Sequence, residues 1–87
     1  MAAPTKAAAP ALAALSERLV EFARARDWEQ FHSPKNLAMA LAAEAGELLE
    51  HFQWLTEAES QAGALSAAKR EAIGQEMADI FIYLLRL

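Results

Sequence analysis

Three stretches of this chain return to apolar residues at steps of three and four, and none alternates apolar with polar. Leu12, Leu15, Leu19 and Phe22 recur this way in the first stretch. Leu37, Leu41, Ala45, Leu48, Phe52 and Leu55 do so in the second. Ile73, Met77, Ile80 and Leu84 form the third stripe, widened by Phe81 and Leu87. Steps of three and four gather side chains on one face of an α-helix, whereas a half-buried strand repeats every two residues. The pattern predicts an all-α fold, a helical bundle of three main helices.

Punctuation sets the expected boundaries. Pro4 and Pro10 interrupt an Ala-rich opening, which predicts a mobile N-terminal tail over residues 1–10 and a single all-α domain over 11–87. The first helix is expected from there to near Arg26. Ser33-Pro34 reads as an N-cap followed by Pro at the first helical position, opening a second helix to about Leu55. Residues 56–65 include Gly63 and many small or polar side chains, and read as a loop. Ser66 is placed to cap the third helix. That helix is still strongly apolar at Leu87, with nothing resembling a C-cap before it. A bundle that looks short at its C-terminal side, and is completed by association with other copies, is the expectation.

Bulk properties remove several function classes. A chain of 87 residues is one domain with a modest core. With no Cys there is neither a disulfide nor a thiolate–zinc site, which suits a reducing compartment. The formal net charge of -4 argues against a basic nucleic-acid-binding surface. No apolar run approaches the roughly 20 residues of a membrane span. The first ten residues lack the core of a secretory signal. A cytoplasmic protein, with neither membrane nor nucleic acid as partner, is expected. An acidic chain that handles phosphates needs a divalent cation between its carboxylates and the substrate.

Two acidic pairs stand out against that background. The second helix carries Glu44 and Glu47, with Glu50 one turn on, and the third carries Glu76 and Asp79. Spacing of i, i+3 projects each pair from one side of its helix. At about 100° per residue, Glu44 falls beside the apolar stripe of its helix, and Glu76 falls beside the Ile73/Ile80 stripe. No Lys or Arg stands one turn away on the same face to neutralise either Glu. If the two helices pack antiparallel along these stripes, the pairs converge. Carboxylates brought together repel, and their pKa values rise unless a cation balances them. Mg²⁺ with oxygen ligands meets that need and keeps open positions for water and phosphate. A solvated acidic face is the plainer alternative.

The sequence Glu44-x-x-Glu47 followed by Glu76-x-x-Asp79 resembles the metal-binding pattern of the MazG-like superfamily of all-α nucleoside triphosphate pyrophosphohydrolases. Arg26-Asp27-Trp28-Glu29-Gln30-Phe31-His32, Pro34-x-Asn36-Leu37, Glu47-Leu48-x-Glu50-x-Phe52-Gln53-Trp54 and Asp79-Ile80-x-Ile82-Tyr83-Leu84 resemble its dCTP pyrophosphatase branch. The resemblance implies hydrolysis between the α and β phosphates, a preference for deoxycytidine nucleotides, base-modified ones included, and cleansing of the nucleotide pool. It implies Mg²⁺ at Glu44, Glu47, Glu76 and Asp79, with Glu47 or Glu44 assisting catalysis, the choice of general base being open. It implies substrate contacts at Trp28, His32, Trp54, Tyr83 and Asn36, and a homodimer or homotetramer. Relatives usually continue with a further helix and a basic stretch that contacts phosphates. The rival expectation is therefore a non-catalytic oligomerisation or nucleotide-sensing module that retains the acidic cluster.

Overall fold

A computed structural model describes residues 8–87. It contains three α-helices, α1 (Ala8–Ala25), α2 (Pro34–Glu50) and α3 (Ala67–Arg86), and single 3-10 turns at Glu29–Phe31 and Ala62–Ala64. No strand occurs among the described residues. The all-α architecture follows the apolar periodicity. Of the expected mobile tail, residues 1–7 lie outside the described residues. α1 already includes Ala8 to Pro10.

Backbone geometry explains how α1 ends. Asp27 adopts a left-handed conformation, φ 56°. The Asp27 N–H donates to the Arg24 carbonyl at 3.1 Å, and the Trp28 N–H donates to the Ala23 carbonyl at 2.8 Å. These two bonds form a Schellman cap, in which the residue after the left-handed one meets a side chain from the preceding turn. Here that contact joins Trp28 to Phe22, with ring centroids 5.4 Å apart and edge on at 69°. The chain then makes its 3-10 turn, and Asn36 Nδ2 ties it to α2 by donating to the Phe31 carbonyl at 3.1 Å.

The two serine caps form as the sequence predicts. Ser33 Oγ accepts from the Asn36 N–H at 3.2 Å, and Ser66 Oγ accepts from the Lys69 N–H at 3.1 Å. α2 ends at Glu50, earlier than the expected Leu55. Beyond Glu50 the chain keeps turning through tighter bonds, His51 N–H to Leu48 O at 3.2 Å and Leu55 N–H to Phe52 O at 2.9 Å. A 3-10 turn has three residues per turn. Phe52 and Leu55 therefore stay half-buried together without an α-helix beneath them. The expected loop is firmly built at its start. Thr56 N–H donates to Glu59 Oε1 at 2.9 Å and Glu59 N–H to Thr56 Oγ1 at 3.2 Å, a reciprocal capping box. That backbone bond holds the Glu59 carboxyl below the usual carboxylate range.

α2 packs along α3, and α1 meets α3 less extensively. Buried hydrophobic positions are few: Ala23, Leu37 and Ile73. The third apolar stripe is split, with Ile73 buried while Met77 and Leu84 are 57% and 55% exposed. Leu48, Met77, Ile80, Phe81 and Leu84 line an apolar groove of about 470 Å³ on this side. The radius of gyration of 15.6 Å exceeds the roughly 12 Å of a closed domain this long. The bundle is open.

Candidate active site

Glu44 and Glu47 project from α2, and Glu76 faces them from α3. One carboxylate oxygen of each lies within 4.8 Å of the other two. Glu44 and Glu76 are half-buried and Glu47 is exposed. Oε2 of Glu44 and Oε2 of Glu76 are both buried without a hydrogen-bond partner. The Glu44 carboxyl is pushed up to about 7, first by a hydrogen bond shared with Glu76, then by burial, then by the charges of Glu47 and Asp79. The cluster lacks a positive charge: it must keep a proton or take up a cation.

The donor set fits a hard divalent ion. It consists only of carboxylate oxygens, two of them shielded from solvent without a partner, which is costly unless something pairs with them. Twice an Mg–O bond is about 4.2 Å, so these oxygens are within a small side-chain adjustment of sharing one ion. Asp79 is outside the tight group of three glutamates. It still adds to the field that raises Glu44, and it reaches the neighbouring cavity.

That cavity, about 550 Å³, opens between α1, the Trp28–His32 connection and α3. Phe22, Trp28, Phe31 and Ile82 give it apolar walls, while Asp79, Tyr83, His32 and Arg86 supply polar groups. Its floor is fixed by the α1 cap, which sets the place of Trp28. The Arg26 guanidinium lies 3.4 Å from the centroid of the Phe22 ring and 5.8 Å from that of Trp28, a cation–π contact on the same aromatic pair. The His32 ring is 6.3 Å from Trp28, and its Nδ1 accepts from Arg86 Nε at 3.4 Å. A mostly apolar cleft with a few convergent polar groups suits a planar heterocycle bearing a charged tail.

Of the residues expected at a site, Glu44, Glu47 and Glu76 come together in the cluster, and Trp28, His32, Asp79 and Tyr83 come together in the cavity. Asn36 does not line the cavity, and its side chain is engaged by the Phe31 carbonyl. Trp54 stands 86% exposed in the turns after α2, away from the cavity walls. Sequence reasoning missed Arg86, and it placed Phe22 in an apolar stripe and Phe31 in the stretch that carries the resemblance, neither as a site residue. The signal for Arg86 was present, since it follows Tyr83 by three residues and Asp79 by seven on one helix face.

Three glutamates meeting between adjacent helices, with Asp79 leading from them into an aromatic cavity, define a class of all-α protein able to hold a divalent cation next to a planar ligand. Comparison with known proteins narrows the class. The pattern of the MazG-like family matches residues 39–87, a span containing all four carboxylates but neither Trp28 nor His32. The chain belongs to the MazG-like family. It is 46% identical to dCTP pyrophosphatase 1 of Rattus norvegicus and to that of Homo sapiens, over 90% of this chain and 46% of each relative. It thus spans about half the length of these curated relatives. A crystal structure of a pyrophosphatase from Archaeoglobus fulgidus is similar over 100% of this chain and 76% of that one, with a TM-score of 0.76 and 33% identity.

Proposed function

We propose that the chain is a Mg²⁺-dependent nucleoside triphosphate pyrophosphohydrolase that converts dCTP, or a base-modified dCTP, to the monophosphate and pyrophosphate. The observation that carries this reading is the junction of the two halves of the site at Asp79, which faces both the acidic cluster and the aromatic cavity. Glu44, Glu47, Glu76 and Asp79 would hold the ion. When bound, Mg²⁺ supplies charge to a phosphoryl oxygen and lowers the pKa of a coordinated water. Glu47, the exposed member of the three glutamates, is open to solvent and suited to take a proton from attacking water, with Glu44 as the other candidate. Trp28 offers a stacking face for the base, and Tyr83 and His32 offer hydrogen bonds within the same cavity. The dCTP pyrophosphatase relatives support the choice of base.

In this reading the enzyme cleanses the nucleotide pool in the cytoplasm. No described helix is long and apolar enough to cross a membrane. The exposed groove on α3 supports assembly as a homodimer or homotetramer. A second reading, a nucleotide-sensing module without turnover, is favoured by one observation: among the described residues lining the cavity, Arg86 is the sole Lys or Arg.

Incubation with a panel of nucleoside triphosphates and Mg²⁺, separating pyrophosphate from orthophosphate release, tests the proposal. Pyrophosphate release fastest from dCTP is expected, with Glu47→Gln and Asp79→Asn reducing it far more than they change the helical circular dichroism. No turnover by folded protein, or wild-type rates in both variants, would overturn it.

A further inference from the structure

Arg86 is half-buried in the cavity wall at the end of α3. Its sole recorded hydrogen bond among the described residues goes from Nε to His32 Nδ1, and no carboxylate pairs with it there. A guanidinium has five donors and no acceptor. Nε is engaged, and the two Nη groups have no hydrogen-bond partner among the described residues around this largely apolar cavity. A half-buried cation in that situation calls for a ligand with acceptors.

Its place along α3 says which part of a ligand it meets. Seven residues separate it from Asp79, a helical rise of about 10 Å away from the acidic cluster. His32, which orients it, lies beside Trp28. A nucleotide with its α-phosphate near Asp79 and its base on Trp28 therefore brings the edge of the base, rather than the phosphates, to Arg86. We propose that Arg86 reads the base, donating two Nη hydrogen bonds to the adjacent O2 and N3 acceptors of cytosine. This deepens the proposed function and rests on it for the orientation of the nucleotide. Uracil and thymine keep O2 but carry a proton on N3, which points a donor at a donor. Arg86 is thus a specificity residue that favours cytosine over the other pyrimidines. His32 is its positioning residue: Nδ1 accepts, so the neutral ring bears its proton on Nε2.

The test is calorimetric titration of dCMP and dUMP into the whole chain in EDTA, with turnover of dCTP and dUTP measured alongside. The wild type is expected to bind dCMP more tightly than dUMP. Arg86→Lys, which keeps the charge but loses the planar fork, and Arg86→Gln should each weaken dCMP binding about 5- to 100-fold and leave dUMP unchanged. An unchanged dCMP/dUMP ratio in both variants overturns the proposal. So does an equal loss on both ligands, which would make Arg86 a phosphate contact or a structural residue. So does a wild type that binds neither nucleotide or does not distinguish them. A wild type that selects dCMP through Arg86 but hydrolyses no triphosphate would overturn the enzyme reading alone, whereas dCTP turnover with an Arg86-independent ratio would overturn this one alone.

Discussion

Replacing Glu44 by Gln should stabilise the metal-free protein while destroying its response to metal. The Glu44 carboxyl is raised from its ordinary 4.5 to about 7. At 1.36 kcal/mol per unit this is about 3.4 kcal/mol if fully expressed. Glu47 and Asp79 are exposed and screened by solvent and salt, so about 1–2 kcal/mol is the realistic share. The sign follows from proton linkage. Between pH 4.5 and 7 the folded chain keeps a proton on Glu44 that the unfolded chain has released, so stability falls as pH rises through that window. The stabilisation is complete below about 4.5 and gone above about 7. Gln does not titrate, and its amide is a neutral group that can donate toward the Glu76 carboxylate. In EDTA at pH 8, Glu44→Gln should melt about 4–15 °C above wild type, since 1 kcal/mol moves a domain of this size by roughly 4–8 °C. At pH 4.5 the two should melt together. Millimolar Mg²⁺ should raise the wild-type melting temperature at pH 8 and leave that of the variant nearly unchanged. A variant that melts below wild type in EDTA at pH 8, or a difference independent of pH, would refute the idea of an unbalanced acidic cluster.

Asp27→Gly should raise stability by about 1 kcal/mol in thermal melts, because glycine adopts the left-handed conformation of the α1 cap without a Cβ penalty. A loss of stability would mean that the Asp side chain contributes more than its backbone costs. Sedimentation at micromolar concentration should show a dimer or larger species, and Leu84→Glu, placing a charge in the α3 groove, should shift it toward monomer. A wild type that sediments as a monomer would contradict that use of the groove.

The helices and both serine caps were legible because they depend on local chemistry: apolar spacing, a hydroxyl before a helix, and Pro at the first position. The end of α2 was not, because Phe52 and Leu55 repeat at a spacing that an α-helix and a succession of tight turns share. The glutamate cluster was legible from its placement beside the packing stripes. Asp79 fell outside the tight group although its spacing matches Glu44–Glu47, since its side chain is one methylene shorter and it sits toward the cavity. Arg86 was hidden because a basic residue in the last turn of a helix has an ordinary role with the helix dipole. Its distinction, contact with His32, joins residues 54 positions apart.

Trp28 is placed by a main-chain hydrogen bond at the end of α1 and by its edge-on contact with Phe22, both formed within the chain itself. The conformational entropy of ordering that ring is therefore spent when the chain folds, before any ligand arrives. A platform preorganised in this way should capture a nucleobase without a slow rearrangement on its side of the cleft. Any step that limits the rate of productive binding then belongs to the acidic cluster beyond Asp79, whose like charges a proton or a cation must balance.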